Sequence, residues 1–418
     1  MPRVNRKTAY EQEQVAPYFS RSSRDPLASW RISGIKDALF EQWYFDSVSD
    51  DGKSSICIIF ARDASYALLG HGHLRMEFDV VFPDGSHFNH ADWMSESVIE
   101  DSSQDYGAEN AGKVESLWTA AGKRHSFTIA GDGSSAYVNL QGQNIQGSFT
   151  LKSTAPAHYP GGKTHAEAGE ETPTALCPKI NLVEVIPSGT FEARLVVNGQ
   201  PLRFQGIGGH MHVWAERSWF DAVRGWRMCR AAAGPFNLTF MQWSSLLDGK
   251  TYSSGFVARS GKKAFGALEI TDDPDGGPEE KDVVRWQPQY NVGITGPHRD
   301  KSSGSVLRYK SAQSGEEYRF KLVHKHVAFS VNFGGGDSGL TGFLSEVSGG
   351  KVGEESYRGP AFANICVLPR KSPTALAAAQ FQPRLMSFAE GWTKIYFFLC
   401  MLLAKLSLGY INILGINT

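Results

Sequence analysis

The chain has 418 residues, 41% of them hydrophobic and 20% charged, with a formal net charge of −1. A near-neutral balance without a Lys/Arg stripe leaves no electrostatic footprint for nucleic acid, and no nucleic-acid partner is expected. Five cysteines (Cys57, Cys177, Cys229, Cys366 and Cys400) are widely spaced and odd in number, which argues against a zinc ribbon or a disulfide framework.

The opening residues, MPRVNRKTAYEQEQ, lack the apolar core of a secretory signal, so an intracellular location is expected. The first unusual segment is Glu41-Gln-Trp43-Tyr44-Phe45-Asp46, two carboxylates among three aromatic rings. A carboxylate beside apolar rings is desolvated and tends to hold a proton, which lets it donate a hydrogen bond. Residues 74–81 alternate in polarity, which predicts a strand with Arg75 and Glu77 on one face. Residues 100–116 and 153–174 read as long loops. The clearest hairpin joins residues 191–197 to 200–204 through Asn198-Gly199, whose primed turn matches the twist of antiparallel strands. A glycine-rich loop, Gly206-Ile-Gly-Gly-His210, follows, and then a second aromatic cluster ending in Trp214, Trp219 and Trp226. A domain junction is expected near residues 219–225, with a fresh series of strands from Trp226. Further Asp-Gly and Ser-Gly turns punctuate the chain as far as Ser314-Gly315. Many short strands between such turns predict an all-β fold.

Three His-x-His pairs occur, His71/His73, His210/His212 and His324/His326. In a strand each pair projects from one face and could give a metal two ligands. None has a complete ligand set nearby, so no metal is expected. Gly336-Asp337-Ser338-Gly339 lacks the upstream histidine context of a serine protease, and a tight turn is expected there. The C-terminus differs in kind: residues 395–414 form an apolar run with one charge, Lys405. Its length matches a bilayer span of about 20 residues, so a C-terminal helix contacting a membrane, the ER included, is one expectation. A helix docked on the fold is the other.

Taken together, the aromatic segments resemble the carotenoid-hydratase-like β-barrel superfamily. Glu41-x-Trp-Tyr-Phe-Asp46 with the Asp51-Gly52 turn resembles its opening motif. Pro187-Ser-Gly189 and Phe204-x-Gly-x-Gly-Gly-His-x-x-x-Trp214 resemble its mid-chain signature. Residues 226–261, with Gly234-Pro235-Phe236 and Asp248-Gly249, resemble the second domain of the fungal branch, which contains Diels–Alderases of polyketide–amino acid pathways. The likeness runs from about residue 34 to about 368 and leaves the tail unexplained.

The resemblance implies an N-terminal extension (1–33), a β-sandwich (34–222), a lipocalin-like β-barrel (223–370), and a linker with an apolar C-terminal helix (371–418). It also implies a ligand pocket between or beside the two domains, no cofactor, and an apolar polyene as the small-molecule partner. Cycloaddition needs no nucleophile; a shaped pocket and a hydrogen bond to the dienophile carbonyl suffice. Glu41, Tyr44 and Asp46 are the expected catalytic polar groups. Trp43, Glu77, His210, His212, Trp214, Trp226 and Met241 are the expected substrate-binding residues, with the two histidines and Trp214 forming a loop wall. Two alternatives stand beside the intramolecular Diels–Alder reading. One is hydration or cyclisation of an isoprenoid by a buried acid, again Glu41 or Asp46. The other is a non-catalytic lipid or terpenoid carrier.

Overall fold

The computed structural model describes residues 2–369 except 12, 38, 65–71, 103–111, 273–280 and 334–336. The apolar run 395–414, with its expected helix and membrane contact, lies outside the described residues, as do His71, Gly336 and Cys400. No helix among the described residues is long and apolar enough to cross a membrane.

Two antiparallel sheets, of 13 and 9 strands, make up nearly all of the fold. The first sheet folds back on itself and forms the sandwich: Trp43 from strand Phe40–Ser49 meets Trp118 from strand Lys113–Ala120 at 6.2 Å, and Phe45 meets Phe127 at 5.8 Å. The strand Lys113–Ala120 alternates buried with part-exposed residues, because its outer face meets solvent. Strand Phe40–Ser49 shows no such alternation, being buried along almost its whole length. Its odd residues, Trp43 and Phe45, pack inside the sandwich. Its even residues, Phe40, Tyr44 and Val48, pack against the second sheet.

The predicted hairpin is present and longer than expected, joining Ile180–Val197 to Gln200–Ala215. Asn198 and Gly199 both take positive φ (48° and 78°), as a primed two-residue turn requires. Two expected loops are corrected. Gly206–His210 lies within the strand Gln200–Ala215, hydrogen-bonded on both sides. Its glycines serve close approach, since a Cβ on Gly209 would overlap the Arg230 guanidinium. Residues 96–101 and 113–120 pair as strands, which confines the expected 100–116 loop to its centre. Residues 154–174 do form a long connection, but a pinned one: the Tyr159 hydroxyl donates to the Ser23 carbonyl and the Ser254 hydroxyl to the Pro160 carbonyl, each at 2.7 Å.

A four-residue helix, Trp219–Ala222, leads from the first sheet into the second. There the strands curl until Lys262–Thr271 and Val283–Gln289 come side by side. The seam between them is closed by a side chain, the Val284 amide donating to the Glu269 carboxylate at 2.8 Å. Inside, the barrel is filled by Phe240, Trp286, Tyr309, Phe320 and Phe343, all buried. A calyx filled with its own rings lacks the internal room of a lipocalin-type carrier.

Candidate active site between the two sheets

The outer face of the barrel strands Val223–Ala233, Gly339–Lys351 and Tyr357–Val367 packs on the even face of Phe40–Ser49 and its neighbours. Their shared cluster contains Tyr44, Met211, Met228, Met241, Trp243, Phe329 and Leu344. At its rim Ile59, Trp219, Phe220, Trp226, Phe333 and Leu340 stay partly exposed. The result is an apolar, aromatic junction between the sheets, and its part-exposed rim is the candidate cleft. Three tryptophans form one edge, with Trp219, Trp226 and Trp243 centred 5.0–5.4 Å apart.

Few polar groups enter this cleft, and they are held in place. Trp226 Nε1 donates to Asn364 Oδ1 at 3.1 Å, which fixes the amide orientation. The Asn364 Nδ2 is then turned toward the Tyr44 hydroxyl and the Met228 sulfur, each 3.5 Å away. Burial, reinforced by Cys57 and Asp46, pushes the Tyr44 phenol well above its usual range, so it stays protonated and able to donate. Glu77 lies on the same side of the sheet, half-exposed and paired with Arg75.

Beneath the cleft Arg230 ties the two sheets together. Its Nε donates to Asp46 Oδ1 at 2.9 Å and its Nη2 to Glu184 Oε2 at 3.1 Å, while Nη1 reaches the Ile186 and Pro187 carbonyls. All three charged side chains are buried. Burial raises Asp46, and it raises Glu184 to about 7 despite the attraction of Arg230. One proton retained on Glu184 leaves the cluster neutral. Because the fold then binds a proton that the unfolded chain has released, stability should fall as pH rises from about 4.5, the unfolded value, to about 7. Thermal melts of Glu184→Gln should be flatter than wild type across that window.

Glu41 and Asp46, adjacent in the sequence motif, point to opposite faces of their strand. Glu41 Oε1 lies inside the sandwich and accepts from the Arg31 amide at 2.5 Å, with His212 Nε2 at 3.0 Å. His212 stacks on Trp43 at 4.8 Å and His210 on Phe45 at 4.2 Å. Burial lowers both histidines, His210 to about 3, so His210 is neutral and its Nδ1–H donates to the Tyr44 carbonyl at 3.0 Å. Trp214 Nε1 donates to the Ser20 carbonyl at 2.7 Å beneath the Arg31 guanidinium. Glu41, Trp43, His210, His212 and Trp214 therefore form one buried layer under the cleft floor. This corrects the expected loop wall: the strand's alternation turns them inward. Tyr44, Trp226 and Met241 share one cluster at the junction, Glu77 lies two strands from Tyr44 in the same row, and Asp46 lies at the junction's base. Sequence reasoning missed Met228, Arg230 and Asn364.

The pairs His210/His212 and His324/His326 have structural roles. A bulge between His324 and His326 breaks their common face; His324 is buried, with its Nδ1 2.9 Å from Ser345 Oγ, and His326 is exposed. Among the described residues no three His, Cys, Asp or Glu side chains converge as a metal site.

The architecture defines a class of all-β proteins in which a folded-over sheet and a filled barrel pack across an apolar junction. Within that class the chain belongs to the Diels-Alderase-like family, whose model matches residues 1–369. A Diels-Alderase of an Acremonium species, ucsH, is 49% identical over 434 positions covering 100% of both chains. The Diels-Alderase mycB of Thermothelomyces thermophilus is 30% identical over 88% of this chain and 82% of its own. The crystal structure of CghA with Sch210972 shares the fold, with a TM-score of 0.75 at 22% identity over 88% of this chain and 100% of that one.

Proposed function

We propose that the protein is a pericyclase that closes a ring in a linear polyene polyketide, a polyketide–amino acid hybrid, by intramolecular Diels–Alder cycloaddition. The apolar, aromatic junction with its part-exposed rim supports this reading most directly. It is large in aromatic surface and poor in polar groups. Folding a floppy polyene against Trp226, Phe329 and Leu340 brings diene and dienophile into a near-attack geometry and removes entropy before the reaction. The Tyr44 hydroxyl and Asn364 amide supply hydrogen bonds to a carbonyl conjugated with the dienophile, and such bonds strengthen as charge develops. The full-length similarity to the Acremonium Diels-Alderase supports the same reaction class.

A hydratase or cation cyclase would instead need an acid that can reach an alkene. Glu41 is sealed inside the sandwich with His212, and Asp46 is bound by Arg230. The two mechanisms separate cleanly in heavy water. Incubated with a linear polyenoyl tetramic acid, the protein should give a cyclised isomer of unchanged mass carrying no carbon-bound deuterium. Glu41→Gln should retain measurable cyclisation, slowed by less than about 10²-fold, because the cleft still orients the chain. Deuterium on product carbon, together with a dead Glu41→Gln or Asp46→Asn, would replace cycloaddition by alkene protonation.

A further inference from the structure

The strand Leu74–Val81 carries a carboxylate that the site as described does not use. Met76, Phe78 and Val80 pack inside the sandwich, so Glu77 and Asp79 lie on the face toward the barrel. Across the sheet Asp46 stands opposite Cys57, and Cys57 opposite Asp79, which puts Asp79 in the row beside that of Tyr44 and Glu77. Every nearby cation is already engaged: Arg230 with Asp46 and Glu184, Arg75 with Glu77 and Asp63. Asp79 alone of these carboxylates has no side-chain hydrogen bond or ion pair among the described residues. It is also only partly buried, on the face turned toward the barrel. The barrel strand Glu317–Asn332 runs past it and is tethered nearby, with His87 Nδ1 3.1 Å from the Ala328 carbonyl.

We propose that Asp79 contacts the substrate, as a carboxylic acid donating a hydrogen bond to a carbonyl oxygen of the polyene's head group. This rests on the cycloaddition reading. No proton is transferred overall: the acid lends its O–H and keeps it, while the ring closes by redistribution of the substrate's own π electrons.

The surroundings keep the proton in place. The groups facing Asp79 are Glu77 on its own strand, Cys57 and Asp46 (with its Arg230) on one side, and His87 and Asn89 on the other. Burial first, then the negative charge of Glu77, raise Asp79 to about 7. Below that pH it can donate; above it the carboxylate can only accept, and the contact with a carbonyl turns repulsive.

The test compares wild type with Asp79→Ala, which has no donor, and Asp79→Asn, whose amide still donates. A synthetic linear polyenoyl tetramic acid serves as substrate, and its decalin product as the binding probe. Binding is read from quenching of tryptophan fluorescence. Asp79→Ala should lose about 10-fold in kcat/KM and bind the decalin correspondingly more weakly, the usual worth of one donor. Asp79→Asn should keep most of both. Wild-type kcat/KM should decline as pH rises through about 7, with Asp79→Asn flat over the same range. The proposal is overturned if Asp79→Ala matches wild type in kcat/KM and decalin affinity, or if Asp79→Asn shows the wild-type pH profile. If wild type binds the decalin but leaves the linear compound unchanged, the cycloaddition reading fails, and the binding titrations still decide the Asp79 contact. Wild type that neither binds nor converts the pair overturns both. Melting curves of the two variants identify a loss due to misfolding, in which case Asp79→Asn carries the comparison through its pH profile.

Discussion

Replacing Arg230 by Met should destabilise the protein by about 3–5 kcal/mol, the cost of leaving buried charge without its partner. Arg230 leaves the barrel sheet, crosses the junction over Gly209 and satisfies Asp46, Glu184 and two carbonyls of the first sheet. Without it two carboxylates remain in a dry junction with no cation. Urea unfolding followed by intrinsic fluorescence should show the midpoint falling sharply. Adding Asp46→Asn and Glu184→Gln to Arg230→Met should recover much of the loss, because the remaining polar groups no longer carry uncompensated charge. Recovery of stability without recovery of stereocontrol would show that the ion cluster also sets the spacing of the cleft. If the single variant melts like wild type, the tie between the sheets lies elsewhere.

Two tryptophans of the sequence cluster should behave in opposite ways. Trp214→Ala removes a fully buried ring from the sandwich, together with its hydrogen bond to Ser20, and should cost about 3–5 kcal/mol. The product made by the surviving folded fraction should keep its stereochemistry, since Trp214 does not reach the cleft. Trp226→Ala removes a half-buried ring at the cleft edge and releases the Asn364 amide that it orients. Stability should fall less, while minor stereoisomers rise as additional folded conformers of the polyene fit the widened space. Chiral chromatography of the products beside thermal melts checks both halves. Loss of stereocontrol in Trp214→Ala with none in Trp226→Ala would move the reaction into the sandwich.

Much of the architecture was legible in the chain because turn chemistry and strand periodicity are local. Asn198-Gly199 specifies its hairpin, and the alternation of 74–81 places Arg75 and Glu77 together. The same parity extends to Asp79, so that signal was available and went unread. The site was harder for a physical reason. Period-2 reading tells which residues share a face, but naming the face requires one polar side, and Phe40–Ser49 is buried on both. Thus Glu41 and Asp46 read as one acidic cluster although five residues of spacing sets them on opposite sides. Arg230 is a charge within a strand, and nothing local marks it as the tie between the sheets. The small residues around it, Ala231 to Ala233 and the distant Gly209, were a sign of close approach that only tertiary contact makes specific. Asn364 carries no local mark at all; its role comes from Trp226, 138 residues away.

The two-sided strand Phe40–Ser49 also bears on how such a protein can diversify. One ten-residue stretch holds two instructions in interleaved positions. The odd set holds the sandwich together, while Tyr44 of the even set faces the barrel, where under the proposed function it shapes what is accepted. A lineage can therefore change its substrate at the even positions without renegotiating the fold at the odd ones. Randomising residue 44 should yield many folded proteins with new product profiles, whereas randomising 43 and 45 should yield few folded proteins of any kind.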